Sequence, residues 1–149
     1  MVETLSASFQ KTRGGAIEVN GIEVFPSFRI QLEKGNHRFI LSRLQVKSRF
    51  LQGVRIGIKK GVLIVNEQQI QDAVLWADTS PDKVELLVKA KSGCELIVWN
   101  IWKIDDLMQA WVGNAGIVIK KTDDAIILEC SDGVGEIDFS NLIIELKKT

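Results

Sequence analysis

The chain is poor in the residues that most often carry out chemistry. Its 149 residues include one histidine, His37, and two cysteines, Cys94 and Cys130. A zinc centre or a cupin-like iron site draws on several His, Cys and carboxylate ligands, and one chain of this composition does not supply them. A Ser-His-Asp triad would have to use His37, and no serine sits in a Gly-x-Ser-x-Gly elbow. Next to Gly35-Asn36, His37 reads as an exposed turn residue. Two cysteines make no disulfide framework, and a chain of this size needs none. Both lie in or beside apolar runs, so two buried thiols are expected.

Other absences narrow the function classes. No uninterrupted apolar run nears the roughly 20 residues of a membrane helix, so no membrane partner is expected. Met1 to Ser6 shows neither a basic n-region nor an apolar h-region, which makes a cytoplasmic location the expectation. Lys11-Thr12-Arg13-Gly14-Gly15 is basic and glycine-rich but lacks Walker spacing, and it reads as a flexible turn. No fixed-period repeat and no low-complexity stretch is present.

What remains is a strand-rich pattern. Apolar residues make up 46% and charged residues 26%, enough for one core in a single domain over 1–149. Asn20-Gly21 sits between two alternating apolar and acidic runs, a type I′ hairpin signal. The second run is read as continuing through Pro26 to Leu32, at an edge or a bulge because Pro26 donates no ladder hydrogen bond. Residues 38–50 alternate, with Ile40, Leu44, Val46 and Phe50 assigned to a dry face. Leu41, Arg43, Gln45, Lys47 and Arg49 are assigned to the other. Residues 66–76 fit either a short helix or a strand, and so do 105–114. Glu95 to Lys103 is apolar on both faces, as in a central strand. Nine or ten strands with tight turns and no helical crossover predict a two-sheet antiparallel β-sandwich, jelly-roll-like.

Charge is unevenly placed. Residues 1–75 hold 11 Lys+Arg and 6 Asp+Glu, and residues 76–149 hold 8 and 13, so the two halves stand at +5 and −5. From Arg29 to Lys60 there are nine basic residues and one acid, Glu33. A hairpin at Gly53 would bring Arg49 near Arg55, and like charges opposite one another need compensation. Arg43, Lys47 and Arg49 are therefore an anion-binding candidate, with an acidic strand such as that of Glu85, or a partner surface, as the other compensation. Nucleic acid is not expected, because too few aromatics interleave with the basic residues. The split also motivates a structural, homo-oligomeric assembly with complementary surfaces.

Two further constellations carry binding chemistry. Asp132, Glu136 and Asp138 lie in a glycine-rich loop, a weak Ca²⁺ candidate without EF-hand spacing. A solvated turn is the competing reading there, and a carboxylate-dependent hydrolase ranks last among the functions. No cofactor is otherwise implied, and no catalytic residue stands out. The four tryptophans all lie in the second half. Trp76 and Trp99 read as core. Trp102 and Trp111, with Asn100 and Asn114, read as an aromatic platform edged by amides. Such a platform suits a sugar or a similar polar small molecule.

A resemblance points the same way. The strings Leu75-Trp76-Ala77-Asp78-Thr79-Ser80-Pro81, Trp99-Asn100-Ile101-Trp102, Gln109-Ala110-Trp111-Val112-Gly113-Asn114-Ala115-Gly116, Cys130-Ser131-Asp132-Gly133 and Asp138-Phe139 span about half the chain. They resemble a group of uncharacterised small bacterial β-sandwich proteins. The fold they imply is similar to jelly-roll modules that often bind carbohydrate. The resemblance implies no catalytic residues. The expected function is a non-catalytic binding module.

Overall fold

The computed structural model describes residues 3–149. In chain order the elements are α1 (Leu5–Lys11), β1 (Ile17–Val19), β2 (Ile22–Val24), β3 (Phe28–Leu32), β4 (Gly35–Val46), β5 (Gln52–Lys59), β6 (Val62–Val65) and β7 (Gln68–Ile70). They continue with β8 (Asp72–Trp76), β9 (Lys83–Ala90), β10 (Cys94–Ile104), β11 (Leu107–Gln109), β12 (Gly116–Lys121), β13 (Ala125–Ser131) and β14 (Leu142–Lys148). One sheet has seven strands in the order β12-β13-β14-β4-β9-β6-β7. The other has five: β11, β10, β5 and β8 in that order, with β3 paired to β10 beside β11. All pairings between named strands are antiparallel. The protein is an all-β antiparallel sandwich.

One apolar core joins the two sheets. Leu41, Leu86, Val88 and Leu128 from the larger sheet meet Phe28, Val54, Ile56 and Leu96 from the smaller. A satellite core of Leu5, Phe9, Val24 and Val118 seats α1 and the β1–β2 hairpin against β12. Thr4 caps α1, its hydroxyl accepting from the Ala7 amide at 3.3 Å. Leu5 and Phe9, one turn apart, supply the buried face of α1. The sequence reading did not anticipate this helix.

Consecutive strands repeatedly change sheet, and several local expectations fail for that reason. β4 and β5 lie in different sheets, so Gly53 closes no hairpin. The strand expected through Pro26 stops at Val24. Phe25 makes a single bridge to Ile117, and pairing resumes at Phe28. The dry face of β4 is the opposite one: Phe39 and Leu41 are buried, while Leu44 and Val46 are 54% and 43% exposed. Both parities of this strand carry apolar residues, and contact with the second sheet decides between them. A bulge against β14 between Ile143 and Ile144 leaves Leu44 as the extra, unpaired residue. His37 sits half-buried within β4 rather than in a turn, its Nε2 2.7 Å from the Glu33 carbonyl. Residues 66–76 form strands, and 105–114 hold a turn and β11, with no helix in either. Both cysteines are buried as free thiols, and burial pushes their pKa values up.

Three tight hairpins place both central residues at positive φ: Asn20-Gly21, Asn66-Glu67 and Asp105-Asp106. Only the first has glycine where the backbone turns left-handed. Glu67, at φ 65°, pays the steric cost of a Cβ there. Glu67→Gly is therefore expected to stabilise the fold by about 0.5–1 kcal/mol, after allowing for the extra freedom of glycine in the unfolded chain. Denaturant unfolding checks this; a loss of stability would mean the φ value is not strained.

Candidate functional site

β10 is the central strand of the smaller sheet, and its two faces divide the tryptophans. Leu96, Val98, Asn100 and Trp102 point toward the larger sheet and are buried. Ile97, Trp99 and Ile101 point to the other side of the sheet, where Ile97 and Ile101 are covered and Trp99 is partly exposed. Trp102 is 0% exposed, with its six-membered ring close above Gly133. Asn100 donates its Nδ2 hydrogen to the Ser131 carbonyl at 3.0 Å and is buried too. The expected platform of Trp102, Trp111, Asn100 and Asn114 is thus split, because the even residues of β10 face inward. Asn114 is near the surface, but its amide is engaged at both ends. Its Oδ1 accepts from the Leu5 amide at 3.2 Å, and its Nδ2 donates to the Gly135 carbonyl at 2.8 Å.

The aromatic surface that does form lies on the outer face. Trp99 stacks on Trp111 with ring centroids 4.9 Å apart and planes 24° from parallel. Arg55 of β5 lies 5.6 Å from the Trp99 ring centroid and holds Asp72 of β8 through paired hydrogen bonds. That carboxylate raises the Arg55 pKa further. Trp111, Trp99, Arg55 and Asp72 therefore run as one row across the sheet. Beside them the Trp76 ring lies over Gly53, where an added Cβ would come within 2.7 Å of it, and Lys103 covers that ring at 4.6 Å. Two glycines four residues apart on one face of β5 make room for these rings: Trp76 over Gly53, Trp99 beside Gly57.

Trp111 has the least ordinary backbone of the group. It sits at φ 57°, a region that costs a bulky residue on the order of 1–3 kcal/mol. Three features hold it there. Its Nε1 donates to the Pro26 carbonyl at 2.9 Å, its ring stacks on Trp99, and the turn that follows is pressed onto the 132–134 loop. Gly113 and Gly133 make that approach feasible, since a Cβ on either would collide with the opposing backbone. The stack contributes about 0.5–1.5 kcal/mol and the hydrogen bond about 1, which roughly offsets the strain. The ring itself stays 50% exposed.

Trp111 also forms the wall of a groove. Two adjoining hollows, of about 690 and 630 Å³, share Gly14, Gly15, Pro26, Ser27 and Arg29. They lie between the α1–β1 segment and the facing edges of β3 and β12. Trp111, Phe9, Gln10 and Arg13 line the first, and Glu23, Phe25, Ile119 and Lys121 line the second. The basic glycine-rich segment 11–15 thus folds into a groove wall. Each hollow is within the roughly 300–1,000 Å³ range of small-molecule sites.

The other candidate residues are dispersed. Arg43 is spent internally, donating to the Ser80 hydroxyl and carbonyl at 3.1 Å each and to Asp82 at 2.8 Å. Lys47 and Arg49 follow β4 in the crossover, where Arg49 stacks 5.0 Å over Phe50 and the Lys47 amide binds the Asn141 carbonyl. The three cations share no face, because β4 ends at Val46 and β5 belongs to the other sheet. Arg29–Glu95, Arg38–Glu85 and Arg43–Asp82 instead pair first-half cations with second-half acids inside the chain, and Arg55–Asp72 closes within the first half. The Ca²⁺ trio does not converge either. Asp132 is buried and accepts from Ser48, Gln52 and the Val134 amide. Asp138 caps Ser140, whose hydroxyl and amide lower the Asp138 pKa, and Glu136 is exposed. Among the described residues no three His, Cys, Asp or Glu side chains gather as a metal site. None of the described helices is long and apolar enough to cross a membrane.

No family model, curated protein or solved structure matches the chain.

The two candidate tryptophans should separate cleanly in stability. Trp102→Ala opens a large cavity in a filled core and should cost about 3–5 kcal/mol. Trp111→Ala loses one stack and one hydrogen bond and should cost about 1.5–2.5 kcal/mol. Urea midpoints of the two variants check the order; equal losses would contradict the burial of Trp102 between the sheets and the exposure of Trp111.

Proposed function

We propose that the protein is a non-catalytic binding module that holds a carbohydrate in the groove beside α1, against the indole of Trp111. The observation that carries this reading is the fixing of a half-exposed tryptophan at a strained backbone position on a groove wall. A sugar ring presents an apolar face with polar rims, and an indole face matches the former. Hydroxyl and amide side chains of Ser6, Gln10, Thr12 and Ser27 line the same groove and match the latter. A ring already held by Pro26 and Trp99 gives up little rotamer freedom on binding, which favours affinity. This moves the platform expected from the sequence: Trp111 stays, Trp102 leaves it, and Asn114 supports the turn from behind.

Tryptophan fluorescence titrated with a panel of neutral and acidic oligosaccharides tests the reading. At least one saccharide should change the emission saturably, and Trp111→Ala should weaken its binding roughly ten-fold or more. Trp76→Phe, at the far side of the sheet, should leave the affinity unchanged. A panel without a single saturable response, or equal binding by Trp111→Ala, would contradict the proposal.

A further inference from the structure

We infer that the groove selects an anionic, polymeric saccharide, one bearing carboxylates on successive sugar units. This rests on the binding-module reading and adds a charge class and a length to it. Arg13 lines the hollow beside Trp111, Lys121 lines the neighbouring one, and Arg29 lines both. Glu23 is the one carboxylate in either lining. Among the described residues neither Arg13 nor Lys121 has a salt-bridge partner. Arg29 is held by Glu95 at 2.9 Å, which also accepts from Gln31 at 2.7 Å. Its guanidinium is thus positioned and partly neutralised, leaving donors for a second acceptor.

The spread of these cations argues for a chain and against a small anion. A single phosphate or sulfate would be met by groups converging on one point. Here the positive groups are distributed over two adjoining hollows, with the stacking ring in one of them. A linear uronate repeats a carboxylate along a chain of stackable rings and meets all three. Single-stranded nucleic acid shares the ring-plus-anion pattern but carries a charge on every nucleotide and stacks base after base. Trp111 is the one exposed aromatic among those lining the groove, and with an acid in the lining and a chain of zero net charge it fits the sparser charge of a glycan better.

The test compares oligogalacturonate, a neutral galactose oligomer of equal length and an oligothymidylate by calorimetry at low and high salt. The oligogalacturonate should bind roughly ten-fold or more tighter than the neutral oligomer at low salt, and added salt should narrow the gap. Arg13→Gln and Lys121→Gln, both at exposed positions, should each reduce that preference while keeping the melting temperature. Equal, salt-independent binding of the acidic and neutral oligomers would overturn this inference and leave the binding-module reading standing. Tighter binding of oligothymidylate than of either sugar would overturn it in favour of nucleic acid. Failure of every saccharide to bind would overturn both readings.

Discussion

Two backbones cross at Gly113 and Gly133 with no room for a side chain between them, and the rest of the site depends on that contact. Trp102 lies beneath Gly133, so the crossing rests on the core of the smaller sheet. From the turn above it, the Gly113 carbonyl accepts from the Ser6 amide at 2.9 Å, and Asn114 binds the Leu5 amide. The start of α1 is therefore tied to the same turn that aims Trp111. Helix, groove wall and aromatic stack are consequences of one close approach.

The energetics explain why such a turn survives. A short helix of seven residues has no independent stability in water, and α1 persists by burying Leu5 and Phe9 and by its ties to the 113–114 turn. Trp111 gains enough from Trp99 and Pro26 to sit in an unfavourable backbone region. Neither contact is large alone. Their combination fixes an apolar surface at the edge of solvent. Ion pairing plays a different part. Three arginines from the first half meet acids from the second, which compensates part of the uneven charge of the chain within the fold. Arg13 and Lys121 stand outside that compensation, at the groove.

The architecture was legible from strand-length alternation, tight turns and the missing helical crossovers. Asn20-Gly21 turned where the hairpin signal placed it. What sequence could not resolve was the face. β10 is apolar on both sides, so nothing local says whether Trp99 or Trp102 meets solvent; the position of the second sheet decides. β4 has the same ambiguity, made worse by the bulge at Leu44. Sheet changes between neighbouring strands undid the basic-face argument for Arg43, Lys47 and Arg49. Other signals were present and unread. Thr4 followed by Leu5 and Phe9 marks a capped helical turn, and Gly53 and Gly57, four apart on one strand face, mark a strand over which rings lie flat.

Trp111 is held in a fixed stack on Trp99, and exciton coupling in the far-ultraviolet circular dichroism reads that stack directly. The native protein should show a couplet that is lost in Trp99→Phe, lost equally in Trp111→Phe, and retained in Trp76→Phe. A native spectrum without the couplet, or one that survives Trp111→Phe, would contradict it.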